Sequence, residues 1–132
     1  MLRTICKSKL HGATITQTEL TYEGSITLDT DLIEAANMLA WERVQIVNLN
    51  NGSRIETFII PGKAGSGTIC LNGPAARMAV VGDVVHVISY AEMTDEESIG
   101  YEPIVVNLDE NNRIRSTHKM GMNSGTGEQV SR

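Results

Sequence analysis

Short β-rich runs separated by turn residues fill most of this chain, and that rhythm limits the folds open to it. The sharpest instance is the pair Val44 to Leu49 and Arg54 to Ile60, set around Asn50-Asn51-Gly52-Ser53. Asn and Gly tolerate positive φ, so this segment predicts a hairpin. Met1 to Lys9 and Thr14 to Leu20 read as strands, the second alternating Ile15 with threonines. Thr68 to Leu71 is a short strand that ends at Asn72-Gly73-Pro74, followed by one helical turn over Ala75 to Met78. Val84 to Tyr90 is almost continuously apolar, the pattern of a strand buried on both faces. Ile104 to Leu108 reads as the last strand, before an Asp109-Glu110-Asn111-Asn112 turn.

Helices are few. Thr30 to Leu39 has apolar residues at helical spacing (Leu32, Ile33, Ala36, Leu39), with Asp29 or Thr30 as the cap. Thr94-Asp95-Glu96-Glu97 fits a capping box that opens a second short helix. From about Lys119 the sequence is Gly, Ser and polar residues, predicting a disordered tail (119–132) after a single domain, 1–118. So many short strands in 132 residues favour a mainly β domain, a closed barrel or a sandwich.

Charge and cysteine usage narrow the function classes. Net charge is −5 with lysines and arginines scattered, so no basic face for nucleic acid is expected. No apolar run reaches membrane-spanning length and no secretory leader pattern opens the chain, which predicts a cytoplasmic protein. Cys6 and Cys70 lack Cys-x-x-Cys spacing and read as reduced, largely buried thiols. Three scattered histidines, without His-x-His or His-Glu-x-x-His spacing, lend a metal site no support.

Gly24-Ser25, in Leu20-Thr21-Tyr22-Glu23-Gly24-Ser25-Ile26, is by itself a common loop pair. Alone it reads as a plain surface turn, although a serine hydroxyl can attack the carbonyl of the preceding residue. Glycine there leaves the carbonyl unhindered and admits strained loop conformations. With Lys9 and His11 before it, and Asn51-Gly52-Ser53-Arg54, Thr57 and Asn72-Gly73 after it, the set resembles the aspartate α-decarboxylases (aspartate 1-decarboxylases). These enzymes make β-alanine for pantothenate. The resemblance runs from about Met1 to about Tyr101.

That resemblance implies a six-stranded double-psi β-barrel, assembled as a homotetramer with active sites between neighbouring subunits. It implies self-cleavage between Gly24 and Ser25 into residues 1–24 and 25–132, leaving Ser25 as a covalent pyruvoyl group. The pyruvoyl ketone would form a Schiff base with L-aspartate and drain electrons as carbon dioxide leaves, with neither metal nor pyridoxal phosphate. Thr57 would hydrogen-bond the Gly24 carbonyl during processing, and Tyr22 would line the processing site. Arg54 would hold one substrate carboxylate through its planar fork. Lys9 would supply charge near the other, and His11, on the same strand face by alternation, would polarise the site. Asn72, Gly73 and Ala75 would contact the pyruvoyl end and substrate. Whether cleavage is spontaneous or assisted by a maturation protein stays open.

Three positions depart from the family pattern. Pro74 interrupts the usual Asn-Gly-Ala-Ala segment and removes one backbone N–H. Val47 stands where some members carry tryptophan. Phe58 stands where the family usually has the tyrosine assigned to reprotonate the product carbon, and a phenyl ring has no proton to give. Tyr22, His11, Lys9 or water would have to serve instead. Phe58 therefore keeps open a weakly active or non-catalytic barrel homologue, or a decarboxylase of a related amino acid. His86 reads as a core or edge residue, and His118 carries no role.

Overall fold

The computed structural model describes residues 1–121. In chain order the elements are β1 (Leu2–Thr14), β2 (Gln17–Glu19), β3 (Ser25–Asp29), α1 (Thr30–Ala35), β4 (Arg43–Asn48) and β5 (Arg54–Gly62). They continue with β6 (Ile69–Asn72), a 3₁₀ turn (Gly73–Met78), β7 (Val84–Thr94), α2 (Asp95–Ser98), β8 (Ile104–Leu108) and β9 (Ile114–Lys119).

The pairings close a ring. β1 runs antiparallel to β7, β7 to β4 and β4 to β5. β5 is parallel to β3, β3 antiparallel to β6, and β6 parallel to β2. β1 and β2 form nearly one run of chain, joined where the Thr16 N–H donates to the Ile69 carbonyl at 2.9 Å. The Ile69 N–H answers with a bond to Thr16 Oγ1 at 3.0 Å. The segment that starts beside β7 thus ends beside β6, and six staves enclose the core. This is the small double-psi barrel that the motifs implied. β8 lies parallel to β1 outside the ring, and β9 pairs antiparallel with β8.

Strand alternation fills the interior. Leu10, Ile15, Ile26, Leu28, Ile46, Ile59, Leu71, Val85 and Val87 are all at most 2% exposed and belong to one hydrophobic cluster. Burying such side chains is worth roughly 1.5–3 kcal/mol each.

Several local expectations change. α1 stops at Ala35 because Asn37 takes a left-handed conformation (φ 53°), so Leu39 is exposed and Met38 is the buried residue. Asp29 caps this helix by accepting from Asp31 N at 2.8 Å. Ser25–Asp29 is a strand in the barrel wall, and Ile114–Lys119 adds a strand beyond Leu108. Lys119 therefore belongs to a strand, and the tail expected to be disordered lies, from residue 122 onward, outside the described residues. β7 alternates instead of being buried throughout: Val85, Val87 and Ser89 are buried, whereas Val84, His86 and Ile88 are half-buried. Helix α2 carries the full Thr94/Glu97 capping box.

Candidate active site

The Asn48–Arg54 hairpin braces the turn that borders the site. Only Gly52 takes positive φ (75°), closing a loop in which Asn48 Oδ1 accepts from the N–H groups of Asn50 and Asn51. Asn51 Nδ2 and Ser53 Oγ then donate to the Met78 carbonyl at 2.8 and 3.2 Å. The hairpin thereby anchors the end of the 3₁₀ turn, and Pro74 sits at that turn's start, where its missing N–H costs no helical bond. Between the turn and β5 lies a cleft of about 390 Å³ lined by Gly24, Ile55, Glu56, Thr57, Pro74, Ala75 and Met78.

Ser25 stands at the edge of this cleft, opposite Asn72 in the β3–β6 register, and is fully buried. Asn72 Nδ2 donates to Ser25 Oγ at 2.9 Å and to Thr27 Oγ1 at 3.0 Å. Its carbonyl oxygen accepts from the Cys70 thiol at 3.2 Å, which orients the amide. Burial, then Glu19, raises the Cys70 pKa, so the thiol keeps the proton it donates. The Ser25 hydroxyl donates to the Glu23 carbonyl at 3.2 Å.

Gly73 has no substitute here. Its φ is +66°, and a β-carbon would lie 2.7 Å from Gly24 N and from the Tyr22 carbonyl oxygen. Close approach of two backbones is what brings the Gly24-Ser25 bond against Asn72. Gly24 itself is outside the positive-φ region, and a β-carbon there would meet only Pro74 Cδ, at 3.6 Å. Neither backbone strain nor contact demands glycine at position 24 in this conformation, so an unhindered carbonyl is the surviving reason for it.

The sequence-predicted residues fall into two groups. Gly24, Thr57 and Ala75 share the cleft, with Ser25, Asn72 and Gly73 beside it. Tyr22 reaches this group through its backbone, while the residue as a whole is 56% exposed. Lys9, His11 and Arg54 do not line the cleft. Arg54, exposed at the start of β5, donates to Gln45 Oε1 at 2.8 Å, and Tyr90 Oη donates to the same oxygen at 2.7 Å. His11 stacks on His86 with ring centroids 4.1 Å apart. Phe58 stacks on Trp41 at 5.5 Å, and Trp41 is exposed with φ 71°. Cys6 and Cys70 are both free. Among the described residues no cluster of His, Cys, Asp or Glu could hold a metal.

Sequence reasoning passed over Thr27 and Cys70, the partners that fix Asn72. Period-two alternation was the available signal, since Thr27 is two residues from Ser25 and Cys70 two from Asn72. It also passed over His86 as a neighbour of His11, which only the β1–β7 register reveals.

Fold and site together define a small double-psi barrel with a buried serine held at the rim of a cleft. The family model described as aspartate decarboxylase matches residues 1–115. The chain belongs to the aspartate decarboxylase family. It is 51% identical over 124 residues to aspartate 1-decarboxylase of Salinibacter ruber, covering 94% of this chain and 85% of that one. Identity is 58% to the enzyme of Listeria monocytogenes and 57% to that of Bacillus subtilis, each over 86% of this chain and 90% of the relative. Among solved structures, the computationally designed msDPBB_sym2 protein aligns with 66% of this chain and 99% of its own, at 13% identity and TM-score 0.44.

Proposed function

We propose that this chain decarboxylates L-aspartate to β-alanine and carbon dioxide, using a pyruvoyl group made from its own Ser25. The hydrogen bond from Asn72 Nδ2 to Ser25 Oγ carries this reading. A donor aimed at the hydroxyl stabilises the negative charge that builds on oxygen as it becomes a nucleophile.

In maturation, Ser25 Oγ attacks the Gly24 carbonyl carbon. The C–N bond breaks, the hydroxyl proton ends on the released amine, and an ester joins Gly24 to the serine side chain. Loss of the Ser25 α-proton expels Gly24 as a free carboxylate and leaves dehydroalanine. Water then replaces the nitrogen, which departs as ammonia, giving a ketone at the new amino terminus. Thr57, on the cleft wall with Gly24, serves as hydroxyl donor to the carbonyl oxygen during attack.

The residues present suit a pyruvoyl group. Asn72 already bonds the atom from which it is made, and the bare Gly73 leaves the space beside Gly24 that any β-carbon would fill. When formed, its ketone supplies an electron sink for the bond broken on decarboxylation. Arg54 binds one carboxylate of aspartate bidentately and Lys9 holds the other, with His11 polarising the site. Because these three residues do not line the Gly24 cleft of their own chain, we assign them to the site of a neighbouring subunit in a homotetramer. The phenyl ring of Phe58 leaves carbon protonation to Tyr22, His11, Lys9 or water. Two free thiols fit a reducing compartment such as the cytoplasm.

The test is β-alanine release from L-aspartate by the purified chain. Stoichiometric β-alanine and carbon dioxide, lost entirely in Ser25→Ala, supports the reading. Turnover that survives Ser25→Ala overturns it.

A further inference from the structure

β1 carries a bulge where it passes β7. Leu10 pairs with Val87 and Ala13 with Val85, so two residues, His11 and Gly12, oppose the single residue His86. A bulge leaves a backbone N–H without a ladder partner and bends the strand that carries it. Gly12 takes φ 78° here, and its N–H donates to His86 Nδ1 at 3.1 Å. The same imidazole stacks on His11, with ring planes 27° apart. One side chain thus satisfies the bulge and faces the ring that the bulge presents.

We propose that His86 is a positioning residue for His11: its Nδ1 fixes the Gly12 bulge, and its ring sets the plane of the His11 imidazole. This rests on the reading above that His11 contributes to the substrate site. An accepting Nδ1 requires a neutral ring protonated on Nε2. Burial first, then the charges of His11 and Lys9, lower the His86 pKa to about 4, which keeps that form dominant near neutrality.

The experiment compares His86→Ala, His86→Asn and His86→Phe in the full chain. Asparagine places an acceptor oxygen near the position of Nδ1; phenylalanine keeps a ring and removes the acceptor. With His86→Ala, kcat/KM for L-aspartate should fall about tenfold, mainly through KM, the scale of one hydrogen bond lost. Self-cleavage should proceed, because Gly24, Ser25, Thr57 and Asn72 lie elsewhere. His86→Asn should recover most of the loss and His86→Phe should not. Hydrogen exchange at the Gly12 amide supplies a readout independent of turnover: slow in the native chain and His86→Asn, fast in the other two.

In a His11→Ala background, adding His86→Ala should change kcat/KM less than about twofold, since coupled residues are not additive. Additive effects, unchanged kinetics in His86→Ala, or equal Gly12 exchange in all variants would overturn the inference. If His11→Ala is itself silent, the assignment of His11 to the site fails, and this inference with it. If His11→Ala is damaging while His86→Ala is silent, only the positioning role is lost.

Discussion

Replacing Gly73 with alanine forces two separable costs on the backbone beside the cleavage site. At φ +66° an L-residue is disfavoured by roughly 1–2 kcal/mol. The new β-carbon would also sit 2.7 Å from Gly24 N and the Tyr22 carbonyl oxygen, and 2.8 Å from Gly24 Cα. All three are backbone atoms, so the 20–25 segment itself must move, a strain of about 1–3 kcal/mol by analogy with overpacking. Gly52→Ala is the internal control: its φ is +75°, and nothing lies within 4 Å of the added carbon. Both substitutions would be made on Ser25→Ala, so that every chain stays whole, and compared by urea unfolding. Gly73→Ala should cost about 2–5 kcal/mol and Gly52→Ala about 1–2. On the native Ser25 background, Gly73→Ala should also slow or stop cleavage. Equal destabilisation by the two variants, with Gly73→Ala cleaving normally, would refute the claim that close approach at Gly73 builds the site.

Phe58→Tyr should leave cleavage unchanged and raise kcat, toward the factor of ~100–10,000 that a general acid supplies; no gain would mean that another donor already suffices. Arg54→Lys keeps the charge and loses the paired fork, so kcat/KM for aspartate should fall about tenfold or more while cleavage persists; unchanged kinetics would remove Arg54 from the site. Stability should also fall in acid. His86 has a folded pKa near 4 against an ordinary 6.5, so the folded state resists protonation, and stability present above pH 6.5 is lost as pH drops toward 4. Tm of the Ser25→Ala chain should decline over that window and His86→Phe should flatten the decline; superimposable profiles would contradict the assignment.

The barrel was legible where alternation and turn chemistry agreed. Arg54 to Ile60 and the Asn51-Gly52 turn gave the β4–β5 hairpin because a period of two and a positive-φ glycine point to the same structure. Leu39 misled because helical spacing cannot register that Asn37 turns left-handed and ends the helix. Ser25–Asp29 escaped notice as a strand because the partners that pair with its two edges, β5 and β6, are distant in the chain, which no local pattern encodes. At the site, Ser25 and Asn72 came from the family resemblance, and their direct bond depends on antiparallel register. The separation of Lys9, His11 and Arg54 from the Gly24 cleft was invisible in sequence, because it depends on which face of which stave each occupies.

Intact mass of the purified full-length protein under denaturing conditions tests the central claim most directly. After warm incubation the account predicts two fragments, residues 1–24 with a free Gly24 carboxylate and residues 25–132 blocked by a ketone at the former Ser25. Borohydride should add two hydrogens to the larger fragment and end turnover. A single uncleaved chain that nevertheless releases β-alanine from aspartate would contradict it.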